Sequence, residues 1–590
     1  ALRLAHAGFD KAMDLHRYAR AVLDLYAREK AREGVIDFDD LIRAAGALLT
    51  TSETAAWALW KLDGGLDHIL IDEAQDTSPA QWALVRAIAE EFLAGQGAQD
   101  RPRTVFAVGD EKQSIYSFQG AAPREFGRMR AHFREFLAAA AEAGEGTALQ
   151  ESSLDWSFRS APSLLALVDA AFADAAEALT ADAETPSHIA FHEQAPGRVD
   201  LWPLLETPER AEPPAWHLPV DTLPAQAPVL RLADAVAAHV QEQIDTAPIP
   251  DREAPGGWRK MRAGDVIVLL RRRGALAGAL VDRLKQRGVP VAGADRLRLT
   301  ASLAVRDLLS LLRVALDPDD DLSTAEVLRS PLGGIPAETL EALALARGRS
   351  SLSRALRDAL PEHPAARLLT DVLNAADYER PHELLQRALV GHGARARIRA
   401  RLNPEEEDAV DELLARALAY EATETPTLPG FLAFMEASQD LTLKREMDGA
   451  GDAVRVMTVH AAKGLEAPFV ILADAGPSKS PPGSDVLTHP CEPPVALWSS
   501  PKADEAPAMT EAKAARAARE ADESLRLLYV ALTRARSRLL VCGTLGAKAD
   551  PEGSWHHRVA AAMLDCEATE TPAPACLSAE PFETVLTLAD

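Results

Sequence analysis

Five short strings in this 590-residue sequence join residue types that act on phosphates with residue types that stack on rings. The first is Ile69-Leu70-Ile71-Asp72-Glu73-Ala74-Gln75-Asp76-Thr77. An apolar run ending in two carboxylates suits metal-dependent nucleotide hydrolysis. Asp72 can hold Mg2+ through its water shell, and Glu73 can polarise an attacking water. The second is Val108-Gly109-Asp110-Glu111-Lys112-Gln113-Ser114-Ile115-Tyr116-Ser117-Phe118-Gln119-Gly120-Ala121. Its amide, Gln113, can donate to a terminal phosphate, and Tyr116 and Phe118 can stack on bases at roughly 1–3 kcal/mol each. The third, Trp156-Ser157-Phe158-Arg159-Ser160, sets a phosphate-clamping Arg beside a ring. Taken singly, each has a plain alternative: a strand with an acidic helix cap, a core turn with buried aromatics, a surface Phe-Arg pair.

The fourth string is Val456-Met457-Thr458-Val459-His460-Ala461-Ala462-Lys463-Gly464-Leu465-Glu466, a strand running into a small-residue loop that lets backbone approach a ligand. The fifth, Leu525-Arg526-Leu527-Leu528-Tyr529-Val530-Ala531-Leu532-Thr533-Arg534-Ala535-Arg536, has the apolar spacing of a buried helix with Arg534 near its end. Arg526, Arg536 and Arg538 are expected on the solvated surface.

Positioning these strings takes strands that end in polar loops. Apolar runs at His68–Ile71 and Thr104–Val108 end in acidic or Gly-rich residues, as buried parallel strands do when they deliver a site at their carboxyl ends. Further strands are expected at Val199–Leu204, Asp265–Leu270, Val454–Thr458, Pro468–Ala473 and Arg538–Val541, with helical stretches between them. That alternation predicts an α/β sheet assembled from distant segments. Long helices open the chain through Leu15, Tyr18, Val22 and Leu25; Gly34 interrupts them, and Asp37-Phe38-Asp39-Asp40-Leu41-Ile42 begins another. Residues 305–445 carry an almost wholly helical pattern and read as an insertion. Pro- and Glu-rich stretches near 205–228, 475–510 and 567–582 read as loops or linkers.

The five strings stand in the order of motifs II, III, IV, V and VI of UvrD-like superfamily 1 helicases, which the sequence resembles over nearly its whole length. Phe118 stands where UvrD has Trp, and with the Glu-Lys-Gln-Ser-Ile-Tyr-Ser-Phe-Gln-Gly-Ala string and Ser554-Trp555 it is more like the AddA and RecB branch. The resemblance implies RecA-like P-loop NTPase lobes with parallel sheets and an inserted all-helical 2B-type domain. It places the end of the first lobe at 1–150, the second lobe at 151–304 and 446–545, the helical insertion at 305–445, and a linker toward a nuclease domain at 546–590. It further implies an ATP- and Mg2+-dependent 3′→5′ DNA helicase of double-strand-break repair, with an exonuclease in the full-length protein, single- and double-stranded DNA as ligands and an AddB-like partner subunit. By the same resemblance Gln113 senses the γ-phosphate and Arg159 and Arg534 are arginine fingers. Phe158, replacing the usual Tyr, stacks on adenine, and Glu466 contacts the ribose. Tyr116, Phe118, Thr458 and His460 touch DNA.

The sequence departs from the family in one respect that matters for chemistry. It contains no Gly-x-x-x-x-Gly-Lys-[Ser/Thr], hence no amide cradle, phosphate Lys or Mg2+-binding hydroxyl of that type. With Asp72, Glu73, Gln113, Arg159 and Arg534 all retained, truncation is the expectation, which the absence of an initial Met accompanies. The alternatives are a UvrD-type helicase without nuclease and a non-catalytic module that binds DNA or a partner. A net charge of −26 argues against indiscriminate nucleic-acid binding, so DNA would need a local groove. The four cysteines lack metal-ligand spacing, and no run of about 18 uncharged apolar residues occurs, so a cytoplasmic, nucleoid-associated protein is expected.

Overall fold

The computed structural model describes residues 2–50, 55–63, 66–94, 104–142, 147–180, 185–206, 227–251, 254–292, 296–402, 405–437, 442–444, 451–478, 485–501, 504–547 and 549–590. Two compact units form: Ala1–Val291 with Gly451–Asp590, and Ala292–Ala450.

The first unit is built on a large, mostly parallel sheet, as the alternating pattern predicts. Seven neighbouring strands follow the order Val454–Thr458, Val266–Leu270, Ala467–Leu472, Ala535–Val541, Arg198–Leu201, Thr584–Ala589 and Thr569–Pro572. The first five are mutually parallel and the last two antiparallel. Val266–Leu270 is buried at every position because its alternating side chains serve two cores. Ile267 and Leu269 join Leu164, Val470 and Leu528, whereas Val266, Val268 and Leu270 join Leu232, Leu280 and Ile471.

A second sheet pairs His68–Ile71 in parallel with Thr104–Ala107. It differs from the expectation of two buried strands. Ile69, Ile71 and Val105 pack toward Trp82 and Phe133, from the helices Pro79–Ala94 and Pro123–Glu142. Leu70 and Phe106 point the other way and stay 72% and 58% exposed, because no described element covers that face.

Other segments also differ from their sequence reading. Within 475–510, Val486–His489 and Val495–Trp498 form an antiparallel hairpin. Residues 207–226 of the first Pro-rich stretch lie outside the described residues. The segment expected as a linker after 546 contains the helix Trp555–Asp565 and the two antiparallel strands, since Trp555, Val559 and Met563 pack into the same core as Leu528. Near the start, Leu2–Glu33 and Phe38–Thr50 are helices separated at Gly34, whose φ of 67° suits glycine. The second is capped reciprocally: Asp40 N donates to Asp37 Oδ1 and Asp37 N to Asp40 Oδ2. Among the described residues no helix is long and apolar enough to cross a membrane.

Among its described residues the second unit is helical apart from a short antiparallel strand pair, Arg296–Arg298 with Thr442–Lys444. Its central helix, Leu303–Leu316, starts at Ser302, whose hydroxyl accepts from Val305 N at 3.2 Å, and buries Leu308, Leu311 and Leu312 against Leu369, Leu413 and Phe431. Asp307 on this helix is half-buried, and burial with the nearby Glu326 and Glu406 raises its carboxyl to about 6. An acid held above its unfolded value opposes folding at neutral pH, and the penalty fades as pH falls through the folded pKa. Asp307→Asn should therefore raise the melting temperature at pH 7.5 and give no gain at pH 4. Melts of the two proteins at both pH values check this; an equal shift at both would remove the titration as its cause.

Candidate nucleotide and DNA site

The parallel register explains how distant strings converge. Ala467 and Ala535 are register partners, so Glu466 and Arg534, each one residue before its strand, lie side by side at the amino ends. The Arg534 carbonyl accepts from Ala467 N at 3.1 Å. Arg159 is laid beside them because Ser160 Oγ donates to Ala535 O at 2.7 Å and Ala161 N to Arg536 O at 2.9 Å.

Arg534 is only 1% exposed. Its guanidinium donates to Val530 O, Leu465 O and Thr533 Oγ1, and at 3.2 Å to Gln113 Oε1, 421 residues away in sequence. It forms no ion pair among the described residues. Burial, with Arg159 nearby, lowers its pKa to about 10, so it stays charged at neutral pH. Arg159 ion-pairs with Glu466 and donates to Thr533 O at 3.3 Å, and Arg536 reaches the other Glu466 oxygen at 2.6 Å. Burial pushes the Glu466 carboxyl up, but these two arginines outweigh it and hold it below the ordinary value.

The carboxylate string sits on the second sheet. Asp72 is exposed and accepts from Glu73 N at 2.9 Å. Glu73 has φ 51°, the left-handed region that costs a non-glycine residue roughly 1–2 kcal/mol. Gln75, fully buried, donates to Glu73 Oε2, accepts from Asp110 N at 3.0 Å, and takes Ser114 Oγ on its carbonyl at 3.1 Å. Gln113 Nε2 donates to Asp110 Oδ2 at 2.9 Å. Lys463 joins the halves: it ion-pairs with Asp76, lies 3.4 Å from Glu73 and donates to Gln113 O at 3.0 Å.

On the neighbouring face Tyr116, Phe118 and His460 form a three-ring group with centroid separations of 5.9, 6.4 and 5.6 Å. Tyr116 OH donates to His460 O at 3.2 Å, and burial lowers the His460 pKa, favouring neutral imidazole. Thr458 Oγ1 accepts from Ala461 N at 3.4 Å, at the carboxyl end of its strand. Phe158 is exposed, with Phe191 against it at 4.4 Å.

Gln113, Arg159, Arg534, Glu466 and Glu73 are thus drawn into linked networks, and Tyr116, Phe118 and His460 into a ring group. Asp72 meets them only through its bond from Glu73 N, and Phe158 packs on Phe191 instead. The structure corrects the surface expectation for Arg526: it is buried, donating to Ser114 O at 2.9 Å and Ala178 O at 2.7 Å. The amphipathic pattern places it one turn from Tyr529, on the face that meets the 114–117 loop, so burial follows the helix phase rather than the charge. Arg538 is half-buried, donating to Gln243 Oε1 and Pro248 O, and Arg536 is exposed. Gln75, Asp76 and Lys463 also went unassigned in the sequence although they lie inside the first and fourth strings; Phe191 carried no signal.

Two family comparisons bear on this geometry. Residues 2–134 match the UvrD/REP helicase N-terminal domain, and residues 371–545 match the UvrD-like helicase C-terminal domain. The chain belongs to the UvrD-like helicase family. It is similar to the AddA subunit of the ATP-dependent helicase/nuclease of Lacticaseibacillus casei, at 29% identity over 88% of this chain and 44% of the relative. The proteins of the same name from Levilactobacillus brevis and Desulforudis audaxviator are 27% and 28% identical over 94% and 95% of this chain, and 46% of each relative. The chain therefore spans about half the length of the curated relatives it matches.

This UvrD-like arrangement depends on a close approach at Gly109. A Cβ there would lie 2.6 Å from Gln75 Oε1 and 3.2 Å from Gln75 N, where backbone cannot yield. Gly109→Ala should destabilise the first unit by about 1–3 kcal/mol, as overpacking does. Urea unfolding measures it, and an unchanged midpoint would show that the loop accommodates the methyl.

Proposed function

We propose that this chain is the motor of an ATP-dependent DNA helicase with 3′→5′ polarity that acts in double-strand-break repair. The observation that carries the reading is Arg534: a buried guanidinium with no carboxylate contact among the described residues, facing Gln113 and neighboured by Arg159. Burying a cation without a counter-charge costs several kcal/mol, and an anionic ligand such as a triphosphate offsets it. The residues present fit a nucleotide triphosphate with Mg2+: two arginines and an amide for phosphate, and carboxylates at a strand end for the metal. Asp72, exposed at a strand end, would hold the metal through water, and bound Mg2+ would neutralise charge on the phosphates.

Glu73 takes the proton of the attacking water, and Gln75 and Lys463 orient its carboxylate. Gln113 and the two arginines contact the terminal phosphate. For Arg159 this requires giving up its pairing with Glu466, which then turns to the ribose. Phe158, supported by Phe191, offers its free face to adenine. Tyr116, Phe118 and His460 stack against single-stranded DNA, and Thr458 contacts its phosphates. The sequence contains no Gly-x-x-x-x-Gly-Lys-[Ser/Thr], so turnover by these 590 residues alone is not expected. The relatives are named as one component of a helicase/nuclease, which supports a nuclease activity in the whole assembly together with a second, AddB-like component.

In the intact gene product, Glu73→Gln should lower ATP turnover by about 100-fold or more while leaving ATP affinity unchanged. Steady-state hydrolysis with nucleotide-binding titrations tests this, and near-normal turnover would remove Glu73 from the role.

A further inference from the structure

The loop that carries Tyr116 is gripped from the helix that ends two residues before Arg534. The helix Pro507–Leu532 presents Glu523 and Arg526, three residues apart and therefore on one face. Arg526 Nε donates to Ser114 O at 2.9 Å, and Ser117 Oγ donates to the Glu523 carboxylate. These contacts bracket Ile115 and Tyr116 on both sides. Between them Ile115 is fully buried in the core that contains Leu527 and Leu528 of the same helix. The second arm of Arg526, to Ala178 O at 2.7 Å, fixes the guanidinium so that it cannot follow the loop without losing a buried hydrogen bond.

We infer that Glu523 and Arg526 form a two-point clamp that makes the placement of Tyr116 follow the helix leading into Arg534. Both are positioning residues: neither touches the groups assigned to nucleotide, and each acts through the backbone or hydroxyl of the 114–117 loop. Gln113, directly before that loop, accepts from Arg534, so the helix and the Arg534 segment that follows it hold the loop at its nucleotide end and again around its base-stacking ring. A shift of the helix as Arg534 engages phosphate is passed to Tyr116 as one movement. The inference rests on the helicase reading, because it needs a nucleotide at Arg534 and DNA at Tyr116.

The test compares ATP hydrolysis by the intact gene product with and without oligo(dT), for wild type, Glu523→Ala, Arg526→Met and Arg526→Lys. For Arg526→Met we expect DNA-independent turnover within about twofold of wild type and stimulation by DNA reduced about tenfold, the weight of one charged hydrogen bond. Arg526→Lys, which keeps the charge but not the fork that reaches both Ser114 O and Ala178 O, should recover part of the stimulation. Glu523→Ala removes only the exposed contact to Ser117 Oγ, and should lose stimulation by a smaller factor in the same direction. This keeps the test informative if Arg526→Met melts early. Full stimulation in folded Arg526→Met or in Glu523→Ala overturns the clamp. An equal loss with and without DNA also overturns it, since that places the residues in nucleotide chemistry. A wild-type protein with no ATP hydrolysis at all counts against the helicase reading itself, a different result from any of these.

Discussion

Lys463 occupies the point on which the arrangement of the first unit depends. Its side chain is almost wholly buried, yet it meets the Asp76 carboxylate, Glu73 and the Gln113 carbonyl, and lies over the Tyr116 ring at 5.4 Å. An ammonium in such a place is tolerable only while all its partners stay. Asp76 shows the same dependence from the other side. Burial raises its pKa, Lys463 opposes the rise, and its second oxygen is buried without a hydrogen-bond partner among the described residues. Lys463 thus joins the 459–466 loop to the carboxylate loop through its ion pair with Asp76 and to the 108–121 loop through its hydrogen bond to Gln113 O, where the candidate site lies.

The charges around this point divide by how they are balanced. Glu466 is held by two arginines, and Asp110 by Lys112 at 2.8 Å with the Gln113 amide. Arg534 and Arg526, both buried, are instead satisfied by carbonyls and an amide oxygen, which accept hydrogen bonds without cancelling charge. Beside Gln113 the Arg534 charge is thus left without a carboxylate contact among the described residues, in a chain whose overall charge is −26. Local placement, not composition, decides what such a protein attracts.

The sequence was most informative where chemistry is written in contiguous residues. Asp72 to Thr77 and Val456 to Glu466 each name their strand and their polar groups together, and the parallel α/β class follows from where apolar runs end. It was least informative where a residue's environment comes from elsewhere. Arg526 looks like surface beside Leu525 and Leu527, and its partners Ser114 and Ala178 are 412 and 348 residues away. Phe191 gains its meaning only from a strand pairing that sets Ile189–Ala190 against Trp156–Ser157. Residues 546–590 read as a linker with a Pro- and acid-rich end, yet alternation in Thr584–Ala589 suffices to add a strand beside Arg198–Leu201.

The connection from Thr458 to Ala467 has little slack. Thr458 ends its strand at the carboxyl edge of the sheet, and Ala467 begins another at the amino edge, with Val266–Leu270 between them. Its eight residues include the tight turn His460–Ala462. Their reach is about 23 Å, against about 20 Å needed to descend one strand length and cross two strand spacings. The segment thus behaves as a ruler stretched along the sheet, with His460 marked near one end and Glu466 at the other. A single inserted residue would loosen it, and whatever length separates the two marks is set by the sheet's height rather than by any contact at either end.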